Sequence, residues 1–209
     1  MNLSTFSSRD EASAAAAARI SAGLQAGLQA EPRATFVASG GKTPKACYEC
    51  LAKTDLAWSR VDVVPSDERN VTPGHGDHNG TMIAAHLATN NASAATLFGL
   101  EDFESLGKPI AVTLLGMGND GHFASIFPDI ECFEAAVDLS TDISVYQVTT
   151  KASPVSRQTL SLAALCRSRQ IVLLAFGQEK KQILEHPAGF PVQHLLTQDL
   201  APVDVFWSA

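Results

Sequence analysis

The fold this sequence predicts is an open, doubly wound α/β sheet, mostly parallel, Rossmann-like, with helices on both faces. Three observations predict it. The stretches Ala34–Ala38, Val61–Pro65, 110–115 and Ile171–Phe176 are nearly continuous apolar runs, helical segments separate them, and each run ends in an unusual polar cluster. Continuous apolar runs belong to strands buried on both faces, which is the environment of a parallel strand between two helix layers. Ligands on such sheets sit beyond the carboxyl ends of the strands, where the polar clusters fall.

The elements follow in order. Residues 10–30 are alanine-rich, with Ile20, Leu24 and Leu28 spaced by four, so an amphipathic helix is expected and not a disordered low-complexity segment. A short strand over residues 34–38 leads through a glycine turn into a helix ending near Leu51. The strand at 61–65 runs into a polar loop, and a helix follows around residues 81–87. The strands at 110–115 and 171–176 come next, the latter followed by a helix through Leu184. No linker or composition shift divides the 209 residues, so residues 1–209 read as one domain.

Composition narrows the function classes. With 45% hydrophobic and 18% charged residues the chain suits a large core and excludes general disorder. A net charge of -7 with scattered Lys and Arg argues against nucleic acid as a partner. No apolar run has the length of a membrane span, and the N-terminal stretch lacks a basic leader, so a cytoplasmic location is expected with no membrane partner. Cys47 and Cys50 form a CxxC without the companion ligands of a zinc site or the context of a redox motif, and both are expected on a helix. His75, His78 and His86 lack a defined metal-ligand spacing, and no metal is assigned to them.

Four clusters carry the chemistry. In Ser39, Gly40, Gly41, Lys42, Thr43 and Pro44, paired glycines let the backbone approach a ligand, Lys42 adds charge, Thr43 is a candidate helix cap and Pro44 suits a first helical position. The turn imitates the end of a nucleotide-binding loop, but Phe36 stands where its leading glycine belongs. In the second cluster Arg69 offers a planar fork to an anion, while Asp67 and Glu68 are candidates to orient hydroxyls or the arginine.

The third cluster spans residues 115–128. Gly116, Gly118 and Gly121 satisfy GxGxxG, yet Pro128 would interrupt the long helix that a dinucleotide site requires, and the first strand-to-helix turn is already occupied by residues 39–44. A nicotinamide cofactor is therefore rejected. What remains is a glycine-rich strand end presenting Asp120 and His122: a neutral imidazole can take a proton from water near pH 7, and a carboxylate can orient it. The glycine-turn N–H groups are candidate oxyanion donors. The fourth cluster is diffuse, with Arg157 and Thr159, then Lys180 in the first turn of a helix, where a cation is unfavourable unless an anion joins it.

Taken in order, Ser-Gly-Gly-Lys-Thr-Pro, Asp-Glu-Arg with His75 and Asn79, Leu-Gly-Met-Gly-Asn-Asp-Gly-His-Phe-Ala-Ser-Ile-Phe-Pro, Arg157-Gln158-Thr159 and Gly-Gln-Glu-Lys resemble the 6-phosphogluconolactonase family over residues 39–184. The resemblance implies a fold shared with glucosamine-6-phosphate deaminases and hydrolysis of 6-phospho-D-glucono-1,5-lactone in the oxidative pentose phosphate pathway, with no cofactor. It implies His122 as the base, Arg69 and Lys180 as holders of phosphate and substrate, and the loop from Ser39 to Thr43 as a lining of the site. Gly118, Asp67, Glu68 and Arg157 complete the expected substrate-binding set, with Asp120 beside the base. The chain departs from the family pattern at Lys42, where a small hydroxyl residue is usual, and at His78, where serine is usual. Residues 190–209 are short for the family. The small-molecule lactone is the expected partner, and a monomer or weak homo-oligomer the expected state. Two rivals are an amino-sugar phosphate isomerase or deaminase, disfavoured because Ser125-Ile126-Phe127-Pro128 supplies no carboxylate after the histidine, and a non-catalytic sugar-phosphate sensor, disfavoured by the presence of both Asp120 and His122.

Overall fold

Alternation along the buried strands builds the two cores. Along one strand Ile171, Leu173 and Ala175 join one apolar cluster while Val172 and Leu174 join the other. Val37 likewise faces away from Phe36 and Ala38. Each strand therefore has a period of two and yet is apolar throughout, as a sheet covered on both faces demands. The computed structural model describes residues 1–106, 109–151 and 153–209.

The elements are β1 (Asn2–Phe6), α1 (Arg9–Ala30), β2 (Ala34–Ala38), α2 (Lys45–Leu51), β3 (Val61–Pro65), β4 (Asp67–Arg69), α3 (Asn79–His86), β5 (Thr96–Leu97), β6 (Val112–Gly116), α4 (Phe133–Val137), β7 (Val145–Thr150), β8 (Ser153–Leu160), α5 (Leu162–Leu165), β9 (Ile171–Phe176), α6 (Gln178–Glu185), α7 (Val192–Thr197) and β10 (Val203–Ser208). Among the described residues the main sheet has the order β1-β10-β9-β6-β2-β3-β5, with every pairing parallel. From β2 the chain proceeds outward through β3 to β5 on one side, then returns to place β6 on the other. The reversal puts a topological switch point between β2 and β6. The four expected strands are present, and the fold class is as the sequence predicts.

Helix α1 is capped by Ser8, whose hydroxyl accepts from the Glu11 N–H at 3.1 Å, while Glu11 accepts in turn from the Ser7 N–H at 3.2 Å. Its small face, Ala12, Ser13, Ala16 and Ala17, is buried with Ile20, Leu24 and Leu28. The expected cap on α2 is different. Pro44 itself is the cap residue, with φ -80° and ψ -7°, and no side chain completes the turn, so Thr43 is not a helix cap. A chain entering in helical conformation has no extended residue to present the hydroxyl. Cys47 and Cys50 both lie on α2, and burial, then the neighbouring Cys50, push the Cys47 thiol far up.

Two features go beyond the sequence reading. Strands β1 and β10 extend the main sheet. A separate sheet of order β4-β8-β7, antiparallel throughout, turns the presumed loop at Asp67, Glu68 and Arg69 into a strand and does the same for Arg157 and Thr159. Only Ser66 separates β3 from β4, so the small sheet starts at the carboxyl edge of the large one, fastened by the Leu160 N–H donating to the Ser66 carbonyl at 2.9 Å.

Candidate active site

The ends of β2 and β6 meet at the switch point, where the Gly116 N–H donates to Ser39 Oγ at 3.3 Å. The Ser39 carbonyl accepts from the buried Tyr48 hydroxyl at 2.7 Å, which ties the glycine loop to α2. A cleft opens here, lined by both strand ends and by the small sheet. Ser39, Gly40, Gly41, Lys42, Thr43, Asp67, Arg69, Gly118, His122 and Arg157 all line it, together with Asn79, Gly116, Met117 and Ala124. Gly40 is needed for close approach, because a methyl group there would sit 2.1 Å from Asn79 Oδ1.

After β6 the turn folds on itself. Gly118 donates to the His122 carbonyl at 2.9 Å, Gly121 to the Gly118 carbonyl at 3.1 Å, and His122 to Asp120 Oδ1 at 3.2 Å. These bonds, with the Gly116 contact to Ser39, occupy the N–H groups of Gly116, Gly118, Gly121 and His122, so those donors are not free for an oxyanion. The turn instead presents a side-chain pair: Asp120 Oδ1 lies 2.5 Å from His122 Nδ1. Burial pushes the Asp120 carboxyl up, but the hydrogen bond and charge of His122 outweigh it and hold the group below the usual carboxylate range. A methyl group on Gly118 would lie 2.2 Å from His122 Nδ1 and 2.6 Å from Asp120 Oδ1, so only glycine leaves room for the pair. The next segment is also constrained. Ala124 has φ +48°, a left-handed conformation unfavourable for a residue with a side chain. The C-terminal segment contributes too, through the Val192 N–H donating to the Gly121 carbonyl at 3.0 Å.

The small sheet supplies charge. In the antiparallel register Arg69 is opposite Arg157 and Asp67 opposite Thr159, and strand alternation sends Glu68, between them, the other way. Like charges directly opposite are unfavourable in a sheet unless an anion joins them. Burial, then the Arg69 charge, pull the Arg157 guanidinium below its ordinary value, while Asp67 and Asp77 partly restore it. Arg157 Nε is buried without a hydrogen-bond partner. Arg69 Nη1 donates to the Asp77 carbonyl at 2.8 Å and to Asn79 Oδ1 at 3.2 Å. Asp67 is buried and accepts from the Ser66 hydroxyl at 2.8 Å and the Ser125 hydroxyl at 2.6 Å.

Two expected binding residues stand outside the lining. Glu68 accepts from the N–H groups of Asn79 at 2.7 Å, Gly80 at 2.8 Å and Arg69 at 2.8 Å, so its carboxylate ties the start of α3 to the Arg69 backbone. Lys180 sits half-buried in the first turn of α6; burial and then the Arg9 charge lower its pKa. His78, the departure from the family pattern, is the cap of α3, its Nδ1 accepting from the Thr81 N–H at 3.0 Å, so an imidazole nitrogen takes the place of a capping hydroxyl. His75 and His86 turn to Asp77 and Glu49, and among the described residues no three His, Cys, Asp or Glu groups converge to hold a metal ion. Met117, Ala124 and the Ser125 support were not singled out from the sequence. The left-handed Ala124 and the burial of Ser125 arise from tertiary packing and leave no local signal.

An imidazole–carboxylate pair and two facing arginines stand together at the switch point of a doubly wound sheet, in an α/β protein of the class whose ligand crevice lies beyond the strand ends. The chain belongs to the family of glucosamine-6-phosphate isomerases and 6-phosphogluconolactonases, whose model matches residues 7–203. It is 36% identical to a 6-phosphogluconolactonase from Caulobacter vibrioides, over the whole of this chain and 97% of that protein. A crystal structure of a 6-phosphogluconolactonase from Shewanella baltica superposes with a TM-score of 0.94 at 32% identity, covering 100% of this chain and 98% of the other. A monomeric glucosamine-6-phosphate deaminase shares the fold at a TM-score of 0.75 and 18% identity, covering 98% and 97% of the two chains.

Proposed function

We propose that this chain hydrolyses 6-phospho-D-glucono-1,5-lactone to 6-phosphogluconate, in the cytoplasm and as a step of the oxidative pentose phosphate pathway, using water activated by His122. The observation that carries the reading is His122, bonded to Asp120 behind it, in one cleft with the Arg69–Arg157 pair. A lone base would act on many esters; a base beside two cations selects an ester that carries a dianion. The names of the Caulobacter and Shewanella relatives agree with it.

In this reading the phosphate is held by Arg69 and the Gly40–Gly41 loop, with Lys42 at the edge of the cleft and Lys180 contributing charge from α6. Binding energy from the phosphate orients the lactone carbonyl toward His122. Asp120 accepts the Nδ1–H, which leaves Nε2 as the basic nitrogen. Nε2 takes a proton from water as its oxygen bonds to C1. Arg157 faces the oxyanion, since the glycine-turn N–H groups named above are occupied. The tetrahedral intermediate then expels the ring oxygen, breaking its bond to C1, and His122 returns the proton to that oxygen. The product is an open-chain acid that ionises in water. A monomer or weak homo-oligomer is the state this reading assigns to the chain.

The test is the hydrolysis rate of freshly generated phosphorylated lactone, with unphosphorylated gluconolactone as control and chelator present, for wild type and His122→Ala. Phosphate-dependent turnover, insensitive to chelator and reduced about 10²–10⁴-fold in the variant with substrate binding retained, is expected. Wild-type hydrolysis no faster than the spontaneous rate would overturn the function, and an active His122→Ala would overturn the mechanism.

A further inference from the structure

Behind two of the cleft's side chains, His122 and Arg157, lies an aromatic ring that the mechanism above does not use. Phe127 is 5% exposed and packs with the fully buried Phe123 and Ile126 in the core beneath the turn. The His122 imidazole is stacked on its ring, with centroids 3.9 Å apart and planes inclined by 27°. The guanidinium carbon of Arg157, arriving from β8, lies 5.3 Å from the same ring centroid. One core phenylalanine therefore touches both the base that comes from the large sheet and the cation that comes from the small one.

We propose that Phe127 is a positioning residue, a shared platform that fixes the imidazole plane of His122 and the guanidinium of Arg157 relative to each other. The argument, which rests on the lactonase reading, begins with degrees of freedom. A hydrogen bond from Nδ1 to Asp120 fixes the direction of one edge of the imidazole but leaves the ring free to rock about that bond. A face-to-face neighbour removes the rocking, because tilting the ring loses contact along one side and clashes along the other. Bond and stack together determine where Nε2 points.

Arg157 has the complementary need. Its Nε is buried without a hydrogen-bond partner, so a cation–π contact helps to hold the plane that a ligand would otherwise have to order. The platform is itself rigid: Pro128 follows it, and the Phe127 carbonyl accepts from the Ile130 N–H at 3.4 Å. A near-attack geometry depends on such placement to fractions of an ångström. A ring that served only to fill volume would be replaceable by any side chain of similar size.

Phe127→Leu and Phe127→Met, which keep apolar bulk without a π-face, are compared with Phe127→Tyr, which keeps the ring. The readouts are kcat and KM on the phosphorylated lactone, the melting temperature, and the ¹H–¹³C resonances of the His122 ring. Both non-aromatic variants are expected to lose on the order of tenfold or more in kcat with KM changed less than threefold. Phe127→Tyr should return most of that loss. In both non-aromatic variants the His122 ring protons should move downfield as the ring current above the phenyl face disappears. A kcat within twofold of wild type in either folded non-aromatic variant, a loss confined to KM, or unmoved His122 resonances would overturn the proposal. Should the wild type prove inactive on this lactone, the function falls, and the His122 resonances still decide whether the stack orients the ring.

Discussion

The two sheets meet at one cleft and contribute opposite things to it. The seven-stranded parallel sheet, covered on both faces, ends in a turn closed by its own backbone hydrogen bonds, and it places His122 Nδ1 2.5 Å from the Asp120 carboxylate. The three-stranded antiparallel sheet is partly exposed, short at β4, and tolerates two arginines in opposite register. Proton transfer needs a group held to tenths of an ångström, whereas an anion is attracted over longer distances and accepts looser geometry. In the proposed mechanism the division of labour follows from packing, with the reacting nitrogen in the rigid region and the ligand in the region with room for charge.

Substitutions in the two regions should therefore fail differently. The largest effect is expected for Gly118→Ala, whose methyl group would collide with the His122–Asp120 pair. It should lower kcat by roughly a hundredfold with little change in KM, since the arginines are untouched. A rise in KM at constant kcat would break the comparison. On the other side Arg69→Leu should raise KM for the phosphorylated lactone by about 10- to 100-fold, the equivalent of a lost charge-assisted hydrogen bond or two, and leave turnover of unphosphorylated gluconolactone unchanged. Equal loss on both lactones would remove Arg69 from phosphate recognition.

Smaller effects sharpen the boundary between the sheets. Ser125→Ala leaves one oxygen of the buried Asp67 without its 2.6 Å donor, at a cost of about 1–3 kcal/mol. Thermal unfolding should register this as a lower midpoint, and an unchanged midpoint would mean that water replaces the hydroxyl. The smallest effect is that of Asp120→Asn on stability. Asp120 is held below the usual carboxylate range, so its stabilisation is present above the unfolded-state pKa and is lost as pH falls through the lower folded-state value. Melting temperatures of wild type and variant should differ at neutral pH and converge on acidification below pH ~4. A gap that widened on acidification would contradict the direction of the shift.

Much of the large sheet was legible because its strands are apolar on both faces and a local window suffices to see them. The turn bearing Asp120 and His122 was legible for a related reason, since glycine spacing and an early proline are also local signals. The small sheet was not. Asp67, Glu68 and Arg69 read as binding residues in a polar loop, not a strand, because β4 is polar and its partner β8 lies some ninety residues away in sequence, so no local pattern announces the pairing. Once it is a strand, alternation separates the three residues: Asp67 and Arg69 face the cleft and Glu68 holds the first N–H groups of α3. The same blindness made Arg157 look isolated, when register sets it directly opposite Arg69. Lys180 shows the converse limit. Its place in the first turn of α6 was read correctly, but its burial and the nearby charge of Arg9, from the other end of the chain, leave no local signal.

Strand β10 lies between β9 and β1, with Asn2 in register with Asp204 and Phe6 with Ser208. Among the described residues β1 pairs with β10 alone, so it has no sheet partner until β10 has been laid down. During synthesis β1 waits, unpaired, while all the residues between it and β10 are made, and closure of this edge is a contact of very high sequence separation, entropically late in any folding route. A sticky strand could not wait safely. The exposed, largely polar sequence from Asn2 to Thr5 is what such a delay requires, because it gives a nascent chain little reason to pair with its neighbours on the polysome before Val203–Ser208 arrive.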